Sequence, residues 1–238
     1  SAQNAVKIAQ RAGFKNISIA LIYGLPKMTL ERWKTNLAIA NDLNVQHLSA
    51  YTLMIEERTV LHKLLKEKKI TLPQEESVLE QFTYLTNWAE TAGFEQYEIS
   101  NFSKNGMYSR HNSAYWSGKE YIGVGPAAHS FDGTHRSWNT YLIQNYINSI
   151  VAGIIPCETE TLSGKDRYNE LILTGLRTKI GINSTVIQSQ FPQFFAEFQK
   201  QKEAFLAQKL IQEQGENISL TRQGIMLSDE VMRDFFVV

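Results

Sequence analysis

The fold class is decided by residues 16–54, NISIALIYGLPKMTLERWKTNLAIANDLNVQHLSAYTLM. The stretch begins with a short apolar run rich in β-branched residues, Asn16–Ile22, which predicts a strand buried on both faces. Gly24 ends this strand, and Thr29 is a suitable N-cap for a helix with an apolar stripe. A second strand is predicted over Leu48–Met54. Two strands about 30 residues apart with a helix between them indicate a βαβ unit in a parallel α/β sheet.

The composition limits the classes of function. The chain has 238 residues, with 24 basic and 24 acidic side chains. A net charge of zero gives no basic face for nucleic acid or an anionic membrane, so we expect no nucleic-acid partner. Because Cys157 is the only cysteine, the chain cannot form an internal disulfide, a thiolate zinc finger or a cysteine-ligated iron–sulfur cluster.

The N-terminus and the apolar runs bear on localisation. Residues 1–14 have the pattern of an amphipathic helix rather than of a signal peptide. The longest apolar runs are far too short to cross a bilayer. We therefore expect a cytoplasmic protein without an integral membrane segment, and a peripheral membrane association is left open.

Composition and periodicity divide the chain into three expected domains, 1–57, 58–156 and 157–238. The βαβ unit in the first domain is incomplete, because two parallel strands do not make a stable sheet alone. Either later segments complete the sheet, or the chain is the tail of a longer α/β protein. The second domain contains residues 100–137, which are dense in Gly, Asn, Ser, His and aromatic side chains. Such an irregular, aromatic stretch is typical of a functional segment.

Regular elements are expected around that stretch. The predicted helices and strands are Val60–Lys69, Glu75–Thr91, Phe94–Ile99, Tyr141–Val151, Asp166–Arg177, Ser184–Gln190, Phe194–Lys209, a hairpin over Leu210–Thr221, and a last helix over Thr221–Phe236. Three helices and a hairpin resemble a winged helix, which leaves a DNA-binding module as one alternative function. The few lysines of this region make only a weak basic face.

Two patterns in residues 100–137 have alternative explanations. Gly123–Ala128 matches the loose dinucleotide pattern G-x-G-x-x-A, but no acidic residue follows at the distance that ribose binding needs. A tight loop that brings the backbone close to another segment fits better. His111, His129 and His135 with Asp132 could bind zinc or iron, although their spacing matches no short metal motif.

The neighbourhood of His111 favours a flat, anionic, aromatic ligand. The stretch SRHNSAYW, residues 109–116, places Arg110 and Asn112 beside the histidine and Tyr115 and Trp116 after it. Imidazole can ligate haem iron, guanidinium can pair with propionates, and aromatic rings can stack on the macrocycle. From the residues alone, a buried, hydrogen-bonded structural histidine stays open as the other explanation.

Several motifs together resemble one family, the radical S-adenosylmethionine (SAM) proteins related to oxygen-independent coproporphyrinogen III oxidase. In chain order they are LIYGLP (21–26), HLSAYTLMIEERT (47–59), YEISNF (97–102), SRHNSAYW (109–116), YIGVGPAAHSF (121–131), LTGLRTKIGI (173–182) and ISLTRQG (218–224). The resemblance covers essentially the whole chain. It implies an α/β fold: the C-terminal part of a partial (β/α)6 barrel, an α+β insert, and a helical winged-helix-like domain.

The HNxxYW pattern is more similar to the haem chaperone branch, HemW, than to the true oxidases. That resemblance implies that His111 ligates haem iron and that Arg110 and Asn112 contact haem. It also implies that Tyr115 and Trp116 line the site of the macrocycle. The implied partners are haem or a porphyrin and a haem-acceptor protein. The alternative is oxidative decarboxylation of coproporphyrinogen III by the full-length parent.

The chain departs from the family pattern in two respects. It has no CxxxCxxC motif, so a [4Fe-4S] cluster and SAM are expected in the full-length parent only, and this chain alone is predicted to be inactive in radical chemistry. The family's SAM-contacting Asp corresponds to Ala20, whose side chain cannot accept a hydrogen bond.

Overall fold

The stretch that decides the fold class forms a parallel βαβ unit in the computed structural model, which describes residues 2–238. After helix α1 (Ala2–Arg11), strand β1 (Ser18–Tyr23) is joined through helix α2 (Leu30–Asp42) to strand β2 (His47–Thr52). The Thr29 hydroxyl accepts a hydrogen bond from the Arg32 N–H at 3.3 Å, which caps α2 as predicted.

Later segments extend the sheet to four strands, and β1 remains at its edge. The elements that follow are helix α3 (Val60–Lys66), helix α4 (Glu75–Thr91), and strands β3 (Glu95–Glu98) and β4 (Asn101–Ser103). Strand β4 pairs antiparallel with both β2 and β3, so that the sheet has four strands in the order β1-β2-β4-β3. The strand predicted over Phe94–Ile99 is therefore half of a short hairpin.

The prediction that the first strand is buried on both faces is wrong. Ser18, Ala20 and Ile22 are exposed, whereas Tyr23 is buried and its ring lies 5.6 Å from that of Trp33. Helix α4 packs against β1 and β3, α2 packs against α4, and β1 is an edge strand of the sheet. Alternate residues of a strand point to opposite faces, so only one face of β1 packs against other elements and the other face is exposed.

Helices α2 and α4 are tied to β1 through buried polar groups. Trp33 has no exposed surface, and its indole N–H donates to the Gln81 carbonyl at 3.0 Å. The side-chain oxygen of Gln81 accepts from the Gly24 N–H at 3.0 Å. Because these buried groups are satisfied, the turn after β1 has a defined position relative to α4.

A buried histidine links the first, second and third strands. His47 is 4% exposed, and its two ring nitrogens lie 2.7 Å from the Ser18 hydroxyl and 2.7 Å from the Tyr97 hydroxyl. Burial lowers the pKa of His47 below its ordinary value of 6.5. The folded state therefore favours the neutral ring.

This histidine predicts a pH dependence of stability. Well above pH 6.5 the ring is neutral in both the folded and the unfolded chain and has no effect on stability. As the pH falls through 6.5, the unfolded chain binds a proton at His47 before the folded chain does. The free energy of unfolding therefore decreases, by at most about 1.4 kcal/mol per pH unit. Urea denaturation between pH 7.5 and 5.5 should show the loss, and His47→Gln should show a flatter profile. An identical slope in His47→Gln and in the exposed-site control His129→Gln would contradict the assignment.

The chain divides into two compact units, one ending at Ser109 and the other running from Arg110 to Val238. The boundary lies inside the segment 58–156 that the sequence groups together. The second unit begins with helix α5 (Arg110–Trp116), strands β5 (His129–Phe131) and β6 (His135–Asn139), helix α6 (Ile143–Val151) and strand β7 (Cys157–Thr161). The three strands form an antiparallel sheet in the order β5-β6-β7.

The remainder of the second unit is mostly helical. It contains α7 (Gly164–Leu176), β8 (Ile182–Asn183), α8 (Ser184–Gln190), a 3-10 turn (Pro192–Phe194), α9 (Phe195–Ala207), β9 (Ile211–Gln214), β10 (Asn217–Leu220), α10 (Arg222–Met226) and α11 (Ser228–Phe235). The predicted hairpin is present as β9 and β10. The single helix predicted over Thr221–Phe236 is wrong, because the chain leaves the helix at Leu227. Its halves pack on different partners, α10 on β10 and α11 on α7 and α9.

Candidate functional site

Helix α5 places His111 and Tyr115 on one face. They are four residues apart, which is about one helical turn. Their rings lie 4.8 Å apart and are nearly perpendicular, at 88°. The imidazole is exposed, and Tyr115 is 39% exposed. The structure thus brings together two of the residues predicted to bind haem and leaves the imidazole accessible.

A row of aromatic rings continues from this pair. The Tyr115 ring lies 4.8 Å from the Tyr121 ring, and the Tyr121 ring lies 6.0 Å from that of Phe131. Tyr121 and Phe131 also exchange two backbone hydrogen bonds, each 2.9 Å long. We call His111, Tyr115, Tyr121 and Phe131 the aromatic row. It is a continuous set of ring contacts that begins at the exposed imidazole.

Trp116 has a different environment from Tyr115. The guanidinium carbon of Arg177, the residue that follows α7, lies 4.8 Å from the centre of the Trp116 ring. The indole nitrogen is buried and has no hydrogen-bond partner among the described residues. Arg110 is exposed and Asn112 is half-buried. Trp116 therefore packs α5 against the end of α7. Arg110 is exposed at the first position of α5.

The role of Trp116 as an anchor can be tested by hydrogen exchange. Helix α5 has seven residues, no fully buried side chain and no aligned charge in its terminal turns, so it is too short to be stable in isolation. Trp116→Ala should accelerate exchange of the α5 amides by about tenfold, because the cation–π contact and ring burial are lost. Trp116→Phe, which keeps an aromatic ring under Arg177, should accelerate it much less. Equal protection in all three proteins would show that Trp116 does not anchor the helix.

A groove adjoins the aromatic row. Its volume is about 940 Å³, which lies within the range of small-molecule sites. It is lined by Glu120, Tyr121, Ile122, Ser130, Phe131, Asp132, His135, Ser137 and Thr159. Tyr121 and Phe131 border the groove, but the strand register places the Phe131 side chain on the face of Arg136, opposite the face of Ser130 and Ser137.

One end of the groove is acidic. The Asp132 carboxylate accepts hydrogen bonds from the backbone N–H groups of His135 at 2.6 Å and Thr134 at 2.9 Å, and it pairs with the His135 ring at 3.0 Å. These contacts, with the His135 N–H the largest, lower the pKa of Asp132 to about 2. Glu120 lies at the same end, since a Cβ on Gly133 would be 3.6 Å from its carboxylate oxygen.

The chain is similar in sequence to a set of named proteins. It is 33% identical over 229 residues to the heme chaperone HemW of Bacillus subtilis, covering 95% of this chain and 60% of that protein. It is 29% identical over 239 residues to HemW of Lactococcus lactis, covering 98% of this chain and 62% of that protein. The chain is homologous to the HemW-type proteins. It spans about 60% of the length of these relatives.

Two further comparisons concern the fold of this chain. Residues 162–227 match the family described as "HemN C-terminal domain". The structure resembles coproporphyrinogen III oxidase (HemN) from Escherichia coli, a radical SAM enzyme, with a TM-score of 0.77 at 20% identity over 98% of this chain and 58% of that one. The α/β fold is thus similar to part of HemN. No helix within residues 2–238 has the length and apolar character needed to cross a membrane.

The alternative explanations for residues 100–137 can now be compared with the geometry. In the described part of the chain, no three His, Cys, Asp or Glu side chains converge to hold a metal ion. A Cβ on Gly123 would lie 2.1 Å from the His129 carbonyl oxygen. The glycine therefore allows a close backbone approach, as expected, and strand β5 rather than a helix follows the GVGPAA stretch.

The residues present do not fit the iron–sulfur cluster of radical SAM chemistry. Cys157 is the only cysteine in the sequence, and it is exposed on β7. A cluster held by cysteine thiolates needs several converging thiolates. Ala20 is exposed on β1 opposite Ser49 of β2, and its methyl side chain offers no acceptor.

Sequence reasoning missed the groove and three of its residues, Glu120, Tyr121 and Phe131. Both aromatic residues belong to YIGVGPAAHSF, residues 121–131, whose resemblance to a family does not by itself predict a groove. A signal was present, because the GVGP turn between them returns the chain on itself and allows Tyr121 to pair with Phe131.

Proposed function

We propose that this chain is the haem-binding part of a HemW-type haem chaperone, with haem as its cargo and His111 as the iron ligand. The observation that carries the proposal is the exposed imidazole of His111 at the start of the aromatic row. A neutral imidazole is a common axial ligand of haem iron. The names of the relatives support the same function.

The residues of α5 have separate roles in this proposal. Edge contact with Tyr115 orients the His111 ring. Arg110, exposed at the first turn, pairs with a propionate, and Asn112 supplies a nearby amide. Trp116 acts indirectly by anchoring the helix rather than by contacting the macrocycle, since Arg177 covers its ring.

The finer architecture is also part of the proposal. Residues 1–57 are the last two βα units of a partial (β/α)6 barrel, residues 58–156 contain the α+β insert, and residues 157–238 form the winged-helix-like domain. The parallel pairing of β1 and β2, the antiparallel hairpin β9–β10 and the likeness to HemN support this description.

The wider activity of the parent is proposed on the same grounds. The parent is a cytoplasmic radical SAM protein whose other residues hold the [4Fe-4S] cluster and SAM, and it delivers haem to an acceptor protein. The HemN likeness is at 20% identity and supports the fold alone. Oxidase activity therefore has no observation of its own in this chain.

A haem titration tests the proposal. We expect a saturable complex of one haem per chain, with a shifted Soret band and a histidine-ligated signature in magnetic circular dichroism. The haem should be recovered chemically unchanged, because a chaperone transfers its cargo intact. A spectrum identical to that of haem in buffer at all protein concentrations would refute the proposal.

A further inference from the structure

We infer that helix α7 positions the aromatic row and that Arg136 and Glu170 are positioning residues for haem binding. The helix acts through two contacts on one of its faces, one to α5 and one to the β5-β6-β7 sheet. This inference rests on the proposed function, because it takes His111 as the iron ligand. It assigns a part in haem binding to the span that matches the HemN C-terminal domain, which contains α7.

The first step is the position of Arg136 relative to the aromatic row. Arg136 of β6 pairs with Phe131 of β5 in the antiparallel register, so the two side chains lie on the same face of the sheet. Tyr121 pairs with Phe131 in the same way through an isolated bridge. Arg136 is therefore on the face of the sheet that carries the last two residues of the aromatic row.

The second step is the contact of Arg136 with α7. Its guanidinium donates a hydrogen bond to the Glu170 carboxylate at 2.5 Å, and the two side chains are 32% and 31% exposed. Partial burial makes such a pair more effective than one on the open surface. The Glu160 carboxylate lies 3.9 Å from the same guanidinium. Glu160 belongs to β7, so its pair with Arg136 stays within the sheet, whereas Glu170 joins the sheet to α7.

The third step is the arrangement of the two contacts on α7. Glu170 and Arg177 are separated by seven residues, which is within about 20° of two full helical turns. Arg177 keeps helical backbone angles at the C-cap, so it lies on the same face as Glu170. Its guanidinium lies over the Trp116 ring of α5 at 4.8 Å. One face of α7 therefore contacts the sheet at one point and α5 two turns later.

The fourth step is what these contacts hold in place. The aromatic row passes from α5 to the sheet between Tyr115 and Tyr121, whose rings are 4.8 Å apart. The linker 117–120 consists of exposed residues, so its own burial does not hold the two parts together. The contacts of α7 with both parts stabilise the ring contact between them. Preorganisation of this kind raises affinity, because a loose site has to be ordered when its ligand binds.

The ring contact can be measured without haem. In the wild-type chain, nuclear Overhauser effects should connect the ring protons of Tyr115 and Tyr121, whose ring centres are close. Glu170→Gln and Arg136→Gln remove the ion pair with α7 and should weaken these effects. Arg136→Lys keeps a cation beside Glu170 and should retain them. Glu160→Gln is the matched control, because it removes a carboxylate from the same guanidinium within the sheet and should change nothing.

A titration with iron protoporphyrin IX measures the effect on haem, at a temperature well below the unfolding transition of every variant. We expect Glu170→Gln and Arg136→Gln to lower haem affinity about threefold to tenfold, as for the loss of one partly buried ion pair. The double variant should bind no more weakly than either single variant, because all three lose the same interaction. Electron paramagnetic resonance of the ferric complexes should show broadened low-spin lines, since the His111 ring then has more than one orientation. Glu160→Gln should give the wild-type affinity and spectrum.

The outcomes separate this inference from the proposed function. Wild-type ring contacts, affinity and spectrum in Glu170→Gln, with only a lower melting temperature, would show that the ion pair is purely structural and would overturn the inference. Equal losses in Glu160→Gln would also overturn it, because the effect would then arise within the sheet. Failure of the wild-type chain to form a histidine-ligated complex would overturn the proposed function itself, and the role of α7 in haem binding with it.

Discussion

His111→Ala is expected to abolish the histidine-ligated Soret band that haem forms with the chain. The sequence has five histidines. Both ring nitrogens of His47 are engaged in buried contacts, and the His135 ring is paired with Asp132. His111 is exposed and adjoins the aromatic row. Loss of an axial ligand removes the coordinate bond, so haem affinity should fall by at least about a hundredfold.

The matched control for this prediction is His129→Ala. His129 is also exposed and lies in the same unit, with its ring 6.2 Å from Trp138 rather than in the aromatic row. Titration of this variant should give the wild-type spectrum and affinity. If His111→Ala retained the histidine-ligated band while His129→Ala lost it, the iron ligand would be on β5 rather than on α5.

Gly181→Ala is expected to unfold the part of the chain that contains β8, β9 and β10. Gly181 has φ +77°, and a Cβ there would lie 1.8 Å from the Ile218 carbonyl oxygen of β10. Ile218 is fully buried and pairs with Ile182 of β8. The backbone would have to separate at the centre of this sheet, which should reduce stability by more than about 4 kcal/mol.

Gly215→Ala separates the cost of a steric clash from the cost of a left-handed backbone conformation. Gly215 also has a positive φ, +61°, but nothing lies within 4 Å of a Cβ placed on it. Only the cost of the left-handed conformation remains, about 1–2 kcal/mol. Thermal unfolding followed by circular dichroism measures both variants. Equal losses of stability would show that the Gly181 contact with β10 is not what excludes a side chain there.

Regular elements with a strong local pattern could be predicted from the sequence. Helix α4 begins and ends where its apolar spacing and Gly93 indicate, and α8 also matches its prediction. The β9–β10 hairpin is marked by Gly215 in its turn. In these cases short-range spacing and a single turn residue contain the necessary information.

The polar elements of the second unit could not be predicted in this way. Strands β5, β6 and β7 read HSF, HRSWN and CETET, which have no alternation of apolar and polar residues. Their pairing depends on the other strands of the sheet. Helix α5 likewise lacks an apolar stripe and is held through Trp116. These contacts are tertiary, so a pattern along the chain does not reveal them.

In the candidate site, too, some features follow from the local sequence and others depend on tertiary contacts. The spacing of His111 and Tyr115 on one helical turn could be anticipated once α5 is known to be a helix. The contacts with Tyr121 and Phe131 depend on a backbone bridge between distant residues. The placement of Trp116 against Arg177 depends on α7, which begins almost fifty residues later by sequence number.

The contact between Trp116 and Arg177 also has an evolutionary consequence. Arg177 lies within the span that matches the HemN C-terminal domain, whereas Trp116 lies outside it. The two side chains interact directly, so the effect of replacing one depends on the identity of the other. We expect the two positions to covary among homologous sequences, with an aromatic ring at one accompanied by a cation at the other. Selection acting on helix α5 would then leave a trace in the span that matches the HemN C-terminal domain.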